Sequence, residues 1–213
     1  LKDAEGMHPY NLGQLIYGSF IPGPCTALGA VELAKRAAGD LSGAEAVVVG
    51  RSQIVGRPAA LLLTALNATV TVVHTKTRDL ASVVRRADVV IAAAGAAAAT
   101  WGRYKKDMDA FRHGHGDKPS PCNLAPMIGA EMIKPGAAVI DVGVNRVPAG
   151  LDETGEPLKD HTGKIRLITA GDVDFDAVKE VAGAITSPKG GTGPMTNAML
   201  LRNIVHAAEL AGQ

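Results

Sequence analysis

Two cysteines, Cys25 and Cys122, stand in 213 residues. That is too few for a disulfide framework, and a reduced intracellular setting is the simpler reading. Charge of one sign is also missing. Lys and Arg number 22 against 21 for Asp and Glu, so bulk charge points to neither a nucleic-acid nor a membrane partner. No apolar run reaches the length of a membrane span, and no signal peptide opens the chain. The first residue is Leu1 rather than Met, which suggests a piece of a longer protein. What is present is a sizeable apolar content. Hydrophobic residues make up 46% and charged residues 20%, enough for a packed core and enough to exclude disorder over most of the length.

Periodicity organises the rest. Leu1 to Cys25 is rich in Gly and Pro and reads as a connector with one short helix over Asn11 to Tyr17. A helix is expected from Thr26, with Ala27, Ala30, Val31, Ala34 and Ala37 on one face and Gly39 near its end. Ala46 to Val49 is a short β-branched run ending at Gly50, and Gly56 opens a helix with Pro58 in its first turn. The alternation repeats: a run over Thr69–Val73, a helix over Leu80–Ala87, a run over Val89–Ala93, and a fourth over Ala138–Val142. Alternating strands and helices of this kind imply a doubly wound, Rossmann-like α/β fold with a parallel sheet covered on both faces. Ala96 to Glu131 breaks the rhythm as an insertion, part helix and part loop. Gly150 to Lys164 reads as a long hairpin excursion, and Asn197 to Leu210 as a last amphipathic helix with Thr196 at its N-cap. No internal repeat is evident.

The segment from Val47 to Pro58 carries the most chemistry. A strand ending in glycine, with a second glycine opening a helix, gathers backbone N–H groups and the positive helix end at one point, where a pyrophosphate binds. Ser52 stands where the usual dinucleotide fingerprint has its second glycine. A tight turn with no ligand is the bland alternative. After the second run come His74, Thr75, Lys76 and Thr77, with no acid until Asp79. An NAD-preferring site would place a carboxylate there. Hydroxyls and cations, with Arg51 able to make a forked contact, suit a 2′-phosphate, so NADP is favoured over NAD. Ala93-Ala94-Gly95 and Asp141 to Asn145 end two further runs; small residues admit a nicotinamide ribose, and Val144 offers an apolar surface to its ring. All these segments converge at the carboxyl ends of parallel strands. His113, His115 and Cys122 fall short of a closed zinc site, and no metal is expected. Cys25, just before a helix, reads as a buried thiol rather than a reactive one.

These residues resemble the methylenetetrahydrofolate dehydrogenase/methenyltetrahydrofolate cyclohydrolase family. The matching runs are Lys2-Asp3 to Gly6 with His8-Pro9 and Asn11, Pro24-Cys25-Thr26 with Gly29, Gly50-Arg51-Ser52 with Ile54-Val55-Gly56 and Pro58, and Asn67 to Thr71 with His74, Lys76 and Thr77. Ile133 to Gly136, Val139 to Gly143, Gly171-Asp172-Val173, and Gly190-Gly191 with Gly193 to Thr196 follow in order. The resemblance implies a Rossmann-type domain and a second domain across a cleft. It also implies NADP-dependent oxidation of 5,10-methylenetetrahydrofolate, hydrolysis of the methenyl product to 10-formyltetrahydrofolate, a cytoplasmic setting and a homodimer.

With the strand-end reading, it places the cofactor on Gly50, Arg51, Ser52, Val55, Gly56, His74, Thr75, Ala94, Gly95 and Val144. It places the folate on Glu5, Lys189, Gly190, Gly191, Gly193, Pro194 and Met195. The implied division is a remnant of the catalytic domain over 1–25, the cofactor domain over 26–186, and a substrate-facing loop with the C-terminal helix over 187–213. Departures are local but informative. Glu5 replaces the family's aspartate. Lys189 stands in the last glycine-rich loop. The family's tyrosine-x-x-x-lysine element is absent, since Tyr10, Tyr17 and Tyr104 lack a lysine four residues on. No catalytic residue is therefore assigned, and a dinucleotide-binding module without turnover is the alternative.

Overall fold

The computed structural model describes residues 2–115, 117–118, 126–154 and 156–212. Its helices are α1 (Pro9–Gln14), α2 (Cys25–Ala38), α3 (Gly56–Ala65), α4 (Leu80–Val84), α5 (Ala96–Arg112), α6 (Phe175–Val178) and α7 (Thr192–Ala211). Its strands are β1 (Glu45–Val49), β2 (Thr69–Val73), β3 (Val89–Ala92), β4 (Ala138–Asp141), β5 (Asn145–Pro148), β6 (Leu167–Ala170) and β7 (Ala184–Ile185). Five strands form one parallel sheet in the order β2-β1-β3-β4-β7. The chain runs outward from β1 to β2 and then crosses back to β3. The strand order reverses between β1 and β3, which is where a doubly wound sheet opens a crevice at its carboxyl edge.

Continuous apolar runs are required because both faces of the sheet are covered. Ala46 and Val48 of β1, with Val89 and Ile91 of β3 and Ile140 of β4, pack against Ala27, Ala30 and Ala34 of α2 and Leu62 and Leu63 of α3. The alternate residues Val47, Val49, Val90 and Val139 pack on the other side with Val84 of α4, Ile128, Ile133 and Val178 of α6. Each fully buried valine contributes roughly 1.5–3 kcal/mol, far more than any propensity difference between neighbouring residues, so the runs decide where the strands lie. β2 is the exception. As an edge strand only Val73 is buried, and Val72 is exposed. One helix-face expectation also shifts at its end, since Ala37 is exposed, and on α3 Leu63 is buried while Ala65 is exposed.

Helix ends follow local chemistry. Asn67, with φ +61°, ends α3 in a left-handed turn before β2. Asp79 accepts the Ser82 N–H at the start of α4, and Asp174 accepts the Ala177 N–H at the start of α6. α7 begins earlier than expected, at Thr192, with Pro194 in its first turn, where a missing N–H costs nothing. Thr196 is therefore inside the helix rather than its N-cap; its hydroxyl donates to the Thr192 carbonyl. Gly29 lets α7 approach α2 closely, since a Cβ there would lie 3.2 Å from Met195 Cγ.

The break in rhythm after β3 becomes an appended unit. α5 lies on the antiparallel pair β5–β6, with Trp101, Tyr104 and Met108 buried against Val147. The excursion between β5 and β6 is the expected hairpin, extended by bridges Leu151–Pro157 and Lys159–Ile165. It also holds a short repeat that the sequence pattern did not reveal. Asp152 accepts from the Thr154 N–H and hydroxyl and the Glu156 N–H, and Asp160 does the same for Thr162 and Lys164.

Candidate functional site

The crevice begins where β1 ends. Gly50 has φ +127° and donates its N–H to the Val73 carbonyl at 2.8 Å. A Cβ here would overlap the Ala93 carbonyl, and one at Gly56 would overlap the Gly50 carbonyl. Only glycines bring the start of α3 this close to the ends of β1 and β3. The bend between them, Arg51 to Ile54, is exposed, whereas Val55 and Gly56 are buried beneath it. Ser52 Oγ accepts from the Val55 and Gly56 N–H groups at 3.1 and 3.3 Å. Both acceptor positions of the hydroxyl then serve the helix, and its O–H remains to donate outward. The second-glycine position is thus filled by a side chain that ties the bend to α3.

Beside it, the end of β2 forms a compact turn. Thr77 Oγ1 accepts from the His74 N–H at 3.0 Å, and His74 Nδ1 accepts from the Lys76 N–H at 3.1 Å, which places the neutral ring's proton on Nε2. Thr75 and Lys76 are exposed, as is Arg51. Neither Arg51 nor Lys76 has an ion-pair partner among the described residues. Two uncommitted cations and a hydroxyl flank one turn, a donor set suited to a phosphate monoester.

The start of α5 is built differently. Asp172, 1% exposed, accepts from the Ala94, Gly95 and Ala96 N–H groups at 2.7, 2.9 and 3.1 Å. Asn145, fully buried, donates its amide to Asp172 Oδ1 at 3.1 Å and accepts the Ala98 N–H at 3.0 Å. A second carboxylate lies alongside: Asp141 accepts from the Gly143, Asp172 and Val173 N–H groups. Burial, reinforced by the charge of Asp172, pushes the Asp141 carboxyl above the ordinary aspartate range despite those N–H bonds. Gly143 leaves room for the pair, since a Cβ there would lie 2.6 Å from the Asp172 carboxyl carbon. Val144, between these groups, is 70% exposed at the mouth of the crevice. Sequence reasoning assigned no role to Asp172 or Asn145, although both sit in glycine-rich strand ends. Their partners are up to 78 residues away, beyond any local pattern.

Of the residues expected to meet a folate, Lys189 and Gly190 are exposed on the turn after β7, and Gly191 precedes α7. Gly193, Pro194 and Met195 form the first turns of α7, with Met195 half-buried against α2. Glu5 is exposed on the N-terminal segment. That segment is tied to α7 by Asn203, whose amide donates to the Ala4 and Gly23 carbonyls at 2.9 and 2.8 Å. Asn203 lies eight residues past Met195, about 12 Å along the helix, so Glu5 does not join the Lys189–Gly191 turn directly. Cys25 is buried there, and desolvation followed by the Glu5 charge pushes its thiol pKa up, in keeping with an unreactive group. His113 pairs with Asp109 on its own helix, and Cys122 lies outside the described residues. Among those described, no three His, Cys, Asp or Glu side chains are placed to hold a metal.

Comparison with known proteins agrees with this geometry. The sequence model of the family described as tetrahydrofolate dehydrogenase/cyclohydrolase, NAD(P)-binding domain, matches residues 24–106 and 122–212. The stretch it passes over, 107–121, begins within the last turns of α5. The bifunctional protein FolD of Parvibaculum lavamentivorans is 47% identical over 98% of this chain and 57% of its own length. FolD 3 of Rhizorhabdus wittichii is 48% identical over 97% and 55%. The Trypanosoma brucei methylenetetrahydrofolate dehydrogenase-cyclohydrolase, solved with NADP and an inhibitor, superposes with a TM-score of 0.73 at 36% identity, covering 100% of this chain and 60% of that one. The chain spans a little over half the length of these relatives. With a family model matched over most of its residues, and a parallel sheet whose switch point carries the expected glycine bend, this chain belongs to the tetrahydrofolate dehydrogenase/cyclohydrolase family.

Proposed function

We propose that this chain is the cofactor-binding part of a cytoplasmic, homodimeric, NADP-dependent methylenetetrahydrofolate dehydrogenase that is also a methenyltetrahydrofolate cyclohydrolase. The observation that carries the reading is the exposed bend from Arg51 to Ile54 at the switch point, with uncommitted Arg51 and Lys76 beside it. A diphosphate is held there by peptide N–H groups and the Ser52 hydroxyl at the positive end of α3. Arg51, Thr75 and Lys76 take the 2′-phosphate. Ala94, Gly95 and Val144 line the place of the nicotinamide half, whose ring accepts hydride from the methylene carbon of the folate. Glu5 and the Lys189–Met195 segment face the folate. The open edge of β2, with Val72 exposed on it, supports pairing with a second copy.

Hydrolysis of the methenyl cation needs managed proton transfers. The family's tyrosine-x-x-x-lysine element is not among these 213 residues, so the direct test on this chain is binding. Calorimetry with Arg51→Ala is expected to weaken NADP by about tenfold or more, the worth of one charge-assisted phosphate contact, and NAD by under about twofold. Equal losses for the two cofactors contradict the 2′-phosphate role.

A further inference from the structure

Two helices begin on the carboxyl edge of the sheet beside the switch point, α3 and α5. Either presents its positive end to an anion. At α3 the Val55, Gly56 and Arg57 N–H groups are taken by Ser52, and the bend from Arg51 to Ile54 lies exposed above them. The start of α5 is already occupied from within. Three consecutive N–H groups, those of Ala94, Gly95 and Ala96, converge on the Asp172 carboxylate at 2.7–3.1 Å, and Asn145 adds a fourth donor. Asp172 is itself held in place. Its N–H donates to Asp141, and its carbonyl accepts from Met127 and Ile128. Asn145 extends the connection to the Ala98 N–H and to the Ala170 and Gly171 carbonyls. One buried residue, through its backbone N–H and its carboxylate, thus joins the ends of β3, β4 and β6 to the start of β5.

We infer that Asp172 is a positioning residue: an internal anion that fills the start of α5, confines the cofactor's diphosphate to the start of α3, and pre-forms the Ala94–Gly95 edge that receives the nicotinamide half. The inference rests on the dinucleotide reading proposed for this site and adds to it a residue that does not touch the ligand. It also explains why the second loop has small residues without a phosphate grip. Its N–H groups point inward to Asp172, so only the outer surface of Ala94 and Gly95 is left for a ribose and ring.

The test divides the cofactor. Asp172→Asn keeps the shape but turns an amide NH₂ toward the Ala96 N–H and the Asn145 amide, donor against donor. Calorimetry is expected to give about a tenfold or greater loss for NADP and under about a twofold change for 2′,5′-ADP, which carries only the adenosine half. Equal losses for both, or no loss for either, overturn the inference. A wild type that binds neither compound instead overturns the dinucleotide reading itself. Hydrogen exchange on the wild-type chain supplies a readout that no variant's folding can spoil. The Ala94, Gly95 and Ala96 amides are expected to be protected before any cofactor is added, and fast exchange that slows only with NADP contradicts pre-formation.

Discussion

The starts of α3 and α5 are the same physical object put to opposite uses. Each is a helix entered from a parallel strand through a glycine with positive φ, +127° at Gly50 and +60° at Gly95. Each has its first N–H groups taken by a side chain at a positive end. At α3 the capping group is a neutral hydroxyl, Ser52, and the bend above it is exposed with Arg51 uncommitted. At α5 the capping group is a buried carboxylate reached from a distant loop. The lesson is that a glycine-rich strand end identifies a possible anion site, but the cap decides whether the anion is a ligand or part of the fold.

The largest break in the contrast comes from the close approach beneath the bend. Gly50→Ala must place a Cβ against the Ala93 carbonyl in a backbone region L-residues avoid, and is expected to cost about 3 kcal/mol. Chemical unfolding reads that loss directly, and a change under about 1 kcal/mol would show that α3 does not need its close seat. Next in size is Asp141→Asn. Three N–H groups aim at two carboxylate oxygens, and an amide leaves one facing a donor, at roughly 1–3 kcal/mol. If unfolding midpoints are unchanged, the β4 end is not the rigid base that the α5 entry requires.

Ser52→Ala sharpens the comparison from the other side. Losing the cap that serves Val55 and Gly56 is expected to lower stability by about 1 kcal/mol and, on the dinucleotide reading proposed above, to weaken NADP through loss of the hydroxyl donor. A stability loss without an affinity loss assigns Ser52 to the fold alone. The smallest effect is on pH dependence. The folded Asp141 pKa lies above its unfolded value, so the native state binds the extra proton in that window. Stability from this group is present below the ordinary aspartate pKa and is lost as pH rises through the folded value. Carbon-13 titration of the Asp141 carboxyl, expected above the usual range, checks the sign.

The sequence made legible whatever is local. The apolar runs at 46–49, 89–92 and 138–141 appear as strands within one residue or so of expectation because burial on both faces demands continuous apolar residues. The bend at Gly50–Gly56 was legible because its glycines, its serine and the helix behind it all lie within a dozen residues. What escaped was non-local or hidden in composition. Asp172 caps a helix 76 residues before it, and nothing near Gly171 announces that. The start of α7 was obscured because Gly193 and Pro194 read as loop residues, although proline in a first helical turn is well tolerated. The paired Asp-x-Thr turns at 152–154 and 160–162 were too short to register as a repeat.

Everything turns on the start of α3 being open to a diphosphate while the start of α5 is closed to one. Amide chemical shifts of the 213-residue chain, titrated with inorganic pyrophosphate at low salt, test this most directly. The amides from Arg51 to Gly56 are expected to move while those of Ala94, Gly95 and Ala96 stay still. Movement at Ala94–Ala96 with none at Arg51–Gly56, or no movement at either, would contradict it.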